Sequence, residues 1–212
     1  MTREYINDNE IKDVLSMYSA HPDEIMCAGI RAYMDKLLKW NETISLTAVR
    51  DPDKILRFHF GESLFAEHLL PRGVCRLADV GSGAGFPGLP LRMANPEMEL
   101  TLIESNSKKC VFLQQVARDL QLSNVHVFRG RMEDYMGPPN SFDVITTRAV
   151  GGRAEIVEWS KMFLSANGRL LLWLVDDDAE DVMENKGWDW RSIVRIPQTK
   201  DRCILVGLPR QM

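Results

Sequence analysis

The segment Leu77-Ala78-Asp79-Val80-Gly81-Ser82-Gly83-Ala84-Gly85-Phe86-Pro87-Gly88 constrains this chain more than any other. A short apolar run enters four glycines within eight residues. Glycine tolerates left-handed backbone and carries no Cβ, so such a run turns sharply and lets backbone come close to a ligand. A helical pattern opens just beyond, and its leading N–H groups point into the same space. A strand, a tight loop and a helix around a nucleotide-type ligand is what this segment builds.

Two fingerprints fit the same residues. Gly83, Gly85 and Gly88 match the G-x-G-x-x-G dinucleotide pattern, and an acid, Glu104, follows at an interval of about 20 residues. Read from Asp79 through Gly81, Gly83 and Gly85, the segment is D-x-G-x-G-x-G, the first motif of methyltransferases that use S-adenosylmethionine (SAM). Three features favour SAM. Asp79 precedes the first glycine, where a carboxylate can orient the cationic methionine end of that cofactor directly or through water. Pro87 suits an early helical position, where its missing N–H costs little. The order of the elements downstream is the third.

Those elements alternate. Strands are predicted at 74–80, 99–104, 125–129, 142–147 and 169–175, and helices at 89–94, 107–120, 154–164 and, briefly, 179–185. Alternation implies a parallel sheet with helices on both faces. The last two strands, at 190–196 and 203–208, leave no room for a crossover helix and should pair antiparallel. A parallel sheet closing in such a hairpin resembles the Rossmann-like α/β fold of class I SAM methyltransferases, in which the strand order is 3-2-1-4-5-7-6. A plain dinucleotide-binding domain would not end this way.

Upstream, residues 1–70 read as helical throughout, an N-terminal helical extension. Met26, Ile30, Tyr33, Leu37 and Trp40 recur at intervals of four, three, four and three, an apolar stripe for core packing. Asp51 and Pro52 suit the N-cap and first position of another helix, running through Ile55, Phe58, Leu64 and Phe65 to about Leu69. Pro71-Arg72-Gly73 breaks the pattern and divides the extension from a SAM-dependent methyltransferase domain at 71–212.

Ligands in open α/β sheets bind beyond the carboxyl ends of the strands, at the switch point. Strand one would deliver Gly81, Ser82, Gly83 and Gly85. Strand two delivers Glu104, whose carboxylate would accept both ribose hydroxyls of SAM; a chance surface glutamate is the alternative. Strand three leads to Gly130-Arg131-Met132-Glu133, a place for adenine contacts by backbone N–H and a carboxylate. Strand four ends in Arg148, over the reactive end of the cofactor, where a guanidinium can clamp carboxylate or phosphate bidentately.

With 212 residues, 45% of them hydrophobic, the chain can bury one full domain plus a helical extension. No apolar run approaches the ~18 residues of a membrane span, and Met1-Thr2-Arg3-Glu4-Tyr5 is too polar to open a signal peptide, so a cytoplasmic protein is expected. Cys27, Cys75, Cys110 and Cys203 lack C-x-x-C spacing, which argues for reduced thiols and against zinc or a disulfide frame. No metal is expected. The net charge of −4 is a mild argument against nucleic acid, but phosphate contact depends on local field. Basic residues cluster at Arg50, Lys54 and Arg57, at Lys108 and Lys109, at Arg129 and Arg131, and at Arg148 and Arg153. Singly, each reads as a solvated surface charge; the second and third pairs lie beside predicted cofactor loops.

The stretch Trp40-Asn41-Glu42-Thr43-Ile44-Ser45-Leu46-Thr47-Ala48-Val49-Arg50-Asp51-Pro52 resembles a family pattern "WN…NLTAIRDP". His59 with Glu62-Ser63 resembles "RHxxDS", and residues 81–90 resemble "GSGAGFPGLPL". Ser107-Lys108-Lys109 with Phe112-Leu113 is similar to "GKR…FL", and Thr147-Arg148-Ala149-Val150 to "SRAV". These motifs, in the right order from about Lys39 to Leu208, are those of the 16S ribosomal RNA guanine-N7 methyltransferases, the RsmG or GidB family, which the chain resembles.

The resemblance implies SAM as methyl donor and a guanine of small-subunit (16S) rRNA as acceptor, in naked rRNA or in the small ribosomal subunit. Carried over by position, Gly81, Phe86, Met132, Glu133 and Arg148 would contact the cofactor. Arg50, Arg57, His59, Lys108, Lys109 and Arg153 are the RNA-binding candidates, His59 reading equally as an interdomain or core-edge histidine. Guanine N7 carries a lone pair and no proton, so it can attack a sulfonium methyl without a general base. A site without a catalytic His or Cys fits that chemistry, with Arg148 as a candidate positioning residue.

Ser45 stands where the family has Asn, and Glu62 where it has Asp. Leu174 replaces a family lysine, and Asp176, Asp177 and Asp178 follow it. Acids near an RNA phosphate path weaken binding; at a helix N-terminus they are favoured. An NAD-type oxidoreductase would need a catalytic acid or metal that the sequence does not offer. A SAM-binding protein without rRNA turnover, and a SAM methyltransferase acting on another RNA or a small molecule, remain open. A monomer is expected, because no long exposed apolar stripe is left over.

Overall fold

A computed structural model describes residues 6–148 and 151–210. The polar residues 1–5 and the Ala149-Val150 half of one motif lie outside the described residues. Seven strands form one sheet: β1 (Arg76–Val80), β2 (Glu99–Glu104), β3 (Val125–Arg129), β4 (Phe142–Arg148), β5 (Leu164–Val175), β6 (Trp188–Arg195) and β7 (Arg202–Pro209). Their order is β3-β2-β1-β4-β5-β7-β6. The first five are parallel, and β7 runs antiparallel to both β5 and β6. The register sets Val80 beside Ile103 and Thr147, so the carboxyl ends of β1, β2 and β4 open at one edge.

The strands are near-continuous apolar runs because both faces of the sheet are covered. Leu77, Leu102, Val144, Leu171, Trp173 and Ile204 face one core; Ala78, Ile103, Ile145, Leu170, Leu172 and Leu205 face the other. Eight α-helices are assigned among the described residues: α1 (Asp8–Ser16), α2 (Glu24–Trp40), α3 (Pro52–Ile55), α4 (Glu62–Leu64), α5 (Gly88–Ala94), α6 (Ser107–Asp119), α7 (Arg153–Phe163) and α8 (Asp176–Met183). Ile11 and Leu15 of α1, Tyr33 and Leu37 of α2, and Phe112 and Val116 of α6 fill the first core, so the N-terminal helices pack directly onto the sheet. Ile156, Trp159 and Phe163 of α7 fill the second.

Helix starts follow local chemistry. Asn7 and Glu10 form a capping box at α1, and the Asp23, Asp51 and Asn106 side chains accept amides at α2, α3 and α6. Three expectations need correction. Residues 41–51 are not helical, because the buried Asn41 side chain accepts from Leu46 N (2.9 Å) and Thr47 N (3.1 Å) and donates to the Thr47 carbonyl (2.8 Å), closing a loop. The helical run after Asp51 is uneven: Leu56–Gly61 is a π-helical turn and Phe65–Leu69 a 3-10 turn. Pro87 caps α5 instead of opening it.

The helix after β5 begins at Asp176, not at 179. Its three leading aspartates meet the positive end of the helix, and Asp176 and Asp178 are ion-paired with Arg195 and Arg153. All four cysteines are buried free thiols. Among the described residues, no helix is long and apolar enough to cross a membrane.

Candidate active site

The loop after β1 is tied down from below. Gly81, Gly83 and Gly85 take φ of 69°, 57° and 90°, the left-handed region. The Ile103 carbonyl of β2 accepts from both Gly81 N (2.9 Å) and Ser82 N (3.2 Å), and the Ser82 hydroxyl donates to the Asp79 carbonyl at 2.7 Å. On the far side the Tyr33 hydroxyl of α2 donates to the Ala84 carbonyl at 2.5 Å. Asp79 is 1% exposed. Its Oδ1 accepts from the Thr146 hydroxyl (2.9 Å) and its Oδ2 from Gly88 N (3.1 Å), and burial pushes its pKa up to about 7.

Above this loop lies a cavity of about 350 Å³, lined by Val80 and Gly81 of β1 and its loop, Ile103 and Glu104 of β2, residues 130–133 after β3, and Gly152, Glu155 and Ile156 at the start of α7. Glu104 anchors it. Its Oε2 accepts from Gly83 N at 2.9 Å and its Oε1 from Asn106 N at 2.8 Å, so the carboxylate is oriented by backbone. Each oxygen keeps lone-pair capacity for a further donor such as a ribose hydroxyl. Met132 and Glu133 open a 3-10 turn, where leading N–H groups lack helical acceptors and are available to a base edge. A Cβ on Gly83 would meet nothing closer than the Gly81 carbonyl at 3.7 Å, so its open side is free for backbone approach to a ligand. The acceptor pair, the apolar walls and the donor turn fit the adenosine half of SAM.

A second cavity, of about 220 Å³, lies at the ends of β4 and β5, lined by Arg148, Arg153, Trp173, Leu174, Asp178 and Arg202 among others. Arg148 Nη2 donates to the Phe58 carbonyl (2.5 Å) and lies 3.4 Å from both His59 Nδ1 and the Glu62 carboxylate. Glu62 is fully buried and also takes Arg202 at 2.8 Å. Burial lowers the Arg148 pKa to about 10, against the pull of Glu62.

The structure therefore divides the residues anticipated from sequence. Gly81, Glu104, Met132 and Glu133 line the first cavity, with Gly83 on its rim. Asp79 lies beneath the loop, and Ser82 and Gly85 belong to it, with the Asp79 carboxylate, the Ser82 hydroxyl and the Gly85 amide taken by protein groups. Phe86 is buried in an aromatic stack, 5.2 Å from Tyr33 and 4.8 Å from His59. Arg148 lines the second cavity and not the first. His59, a candidate RNA contact with a core-edge reading equally open, has a half-buried ring: Nε2 meets the Thr47 hydroxyl at 2.8 Å and desolvation lowers its pKa to about 3. Arg57 and Arg153 are paired with Asp53 and Asp178, whereas Arg50 and Lys108 are exposed and Lys109 is half-buried. Sequence reasoning missed Gly152 and Glu155; the signal was the Gly151-Gly152 pair between an apolar strand and an amphipathic helix.

A glycine loop, an acid at the end of β2 and a sheet closing in an antiparallel hairpin define a class I SAM-dependent methyltransferase. The fold agrees with solved structures of a SAM-dependent methyltransferase from Aquifex aeolicus (TM-score 0.56, 16% identity, covering 83% of this chain and 96% of that one). It also agrees with a ribosomal protein L11 methylase from Lactobacillus delbrueckii subsp. bulgaricus (TM-score 0.58, 12% identity, 73% and 80% covered). The family model for rRNA small subunit methyltransferase G (GidB) matches residues 26–189. Ribosomal RNA small subunit methyltransferase G of Streptococcus pneumoniae serotype 19F (strain G54) is 36% identical over 159 residues, 73% of this chain and 67% of that protein. The protein of that name from Chromobacterium violaceum is 37% identical over 161 residues, 76% of each chain. The chain belongs to the rRNA small subunit methyltransferase G family.

Proposed function

We propose that this protein transfers the methyl group of SAM to N7 of a guanine in small-subunit (16S) rRNA, acting as a cytoplasmic monomer on naked rRNA or on the small ribosomal subunit. The observation that carries the reading is the backbone-oriented Glu104 carboxylate facing a glycine-lined cavity in a chain of this family. When bound, SAM supplies an electrophilic methyl on a sulfonium centre. Glu104 accepts the ribose hydroxyls, Met132 and Glu133 hold the adenine, and Gly81 and Gly83 let backbone lie against the cofactor. Asp79, Ser82, Gly85 and Phe86 serve the same site by fixing the loop. Guanine N7 presents a lone pair and no proton, so the chain has to position it and exclude water more than move protons. Arg148, at the carboxyl end of β4, is the positioning residue. Exposed Arg50 and Lys108, with Lys109, offer phosphate contacts, and Arg57 and Arg153 can join them by exchanging their carboxylate partners.

Transfer of tritium from labelled SAM to small subunits and to naked rRNA, both from cells lacking this gene, tests the reading once nucleosides are separated. Label in 7-methylguanosine from one site, lost with Arg148→Ala, is the expected result. SAM binding with no label in either RNA would overturn the rRNA assignment and leave the methyltransferase class standing.

A further inference from the structure

Three arginines from three elements meet at the second cavity. Arg148 ends β4, Arg153 opens α7 and Arg202 opens β7, and all three line it. The Arg148 head is enclosed by protein, so it acts there as fixed charge behind the wall. Arg153 and Arg202 are different, because their side chains are 41% and 33% exposed. Arg153 gives Nη1 to Asp178 and Arg202 gives Nη1 to Glu62, and among the described residues nothing takes the remaining N–H groups of either fork. Three cations against the two carboxylates leave the cluster net positive. Arg202 pushes the Arg148 pKa down, the mark of like charges held close. Leu172, Trp173, Leu174 and Ile196 supply apolar walls, and low-dielectric walls concentrate such a field.

An anion between these arginines relieves their repulsion and takes their spare donors. The cavity shares no lining residue with the cofactor cavity, yet it adjoins it: Arg153 follows directly on Gly152, and Thr147 pairs with Val80 across β4 and β1. An RNA acceptor carries a phosphate at every nucleotide, and arginine forks match phosphate oxygens bidentately. We propose that this cavity is a phosphate subsite for the acceptor RNA, in which Arg153 and Arg202 donate to one phosphodiester beside the target nucleotide and Arg148 adds charge behind them. Asp178 opposes the incoming phosphate and holds Arg153 in place while RNA is absent. The assignment rests on the rRNA-methylation reading above and adds to it where the RNA backbone is gripped next to the cofactor.

The test measures methyl transfer to small-subunit rRNA from cells lacking this gene, in a salt series at fixed magnesium, with calorimetric SAM titration alongside. Each variant is compared with the unaltered chain at the same salt. One phosphate contact, with a slope of about −0.7 in log K against log salt, is worth about fourfold at about 0.15 M salt. Arg153→Gln should therefore raise KM for the RNA about fourfold there, with kcat and SAM affinity kept, and the difference should shrink as salt rises. Arg153→Lys should recover most of the loss. Asp178→Asn should lower KM, because it removes the opposing charge; a merely structural Arg153–Asp178 pair would raise it. Arg202→Gln should match Arg153→Gln; where losing the partner of Glu62 prevents folding, seen as lost SAM binding, the Arg153 and Asp178 variants decide. An unaltered KM in Arg153→Gln or in folded Arg202→Gln, a loss that does not shrink with salt, or a raised KM in Asp178→Asn would overturn the subsite while rRNA methylation stands. So would SAM affinity lost in Arg153→Gln, which would give the cavity to the cofactor's carboxylate. No methyl transfer to this RNA by the unaltered chain would overturn the rRNA reading itself, and the subsite with it.

Discussion

Gly83 and Gly85 stand two residues apart, both in left-handed backbone, and do different work. A Cβ on Gly85 would lie 2.4 Å from the Tyr33 hydroxyl and 2.5 Å from a Leu89 methyl, whereas one on Gly83 would meet open space. Gly85→Ala should therefore cost about 2–5 kcal/mol, adding overpacking to left-handed strain. Gly83→Ala should cost only the strain, about 1–2 kcal/mol, and weaken SAM binding because its Cβ points to the ligand side. Urea unfolding and calorimetric SAM titration of both variants separate the effects; native SAM affinity in Gly83→Ala would remove that glycine from the binding surface. At this scale the sequence motif marked both glycines as necessary without distinguishing ligand side from protein side. Asp79 shows the same gap: its place before the first glycine was legible, its use by Gly88 and Thr146 was not.

The π-helical turn Leu56–Gly61 carries a half-buried histidine, His59. His59 stacks on Phe86, bonds Thr47 and faces Arg148, with Arg202 adding a weaker positive field. Burial first, then Arg148, depresses its pKa to about 3 from an ordinary 6.5. The folded state then binds fewer protons than the unfolded chain between those values. The stability that neutral His59 contributes is present above pH 6.5 and lost as pH falls toward 3. Urea midpoints of the unaltered chain should fall more steeply from pH 7 to pH 4 than those of His59→Gln. The comparison cancels the opposite slope contributed by Asp79, whose pKa is raised. Parallel curves would mean that His59 protonates freely in the fold. The helical periodicity after Asp51 foresaw this element and its cap, but a π turn shifts every later side chain around the axis, and no local propensity reports that.

Across the whole molecule, the boundary expected at residue 70 meets a continuous core. Ile11, Tyr33, Leu37 and Phe60 pack with Phe86, Phe112 and Trp173 in one cluster, and the Trp173 indole N–H donates to the Glu62 carbonyl at 3.2 Å. We propose that residues 6–70 form an integral layer and that residues 71–212 alone will lose cooperative unfolding and near-ultraviolet dichroism. A truncated chain that melts sharply and binds SAM would restore an independent domain. The sequence by itself determined the strand succession, the antiparallel closing hairpin, the glycine loop and the acid at the end of β2. These rest on periodicity, turn chemistry and connection length, all local quantities. Which loop residues face the ligand was decided by tertiary structure. Tyr33 reaches Ala84 across 51 residues, Arg148 reaches Phe58 across 90, and Trp173 reaches Glu62 across 111. Side-chain direction at the site is set by the packing of elements far apart in the chain, and a local pattern contains no term for that.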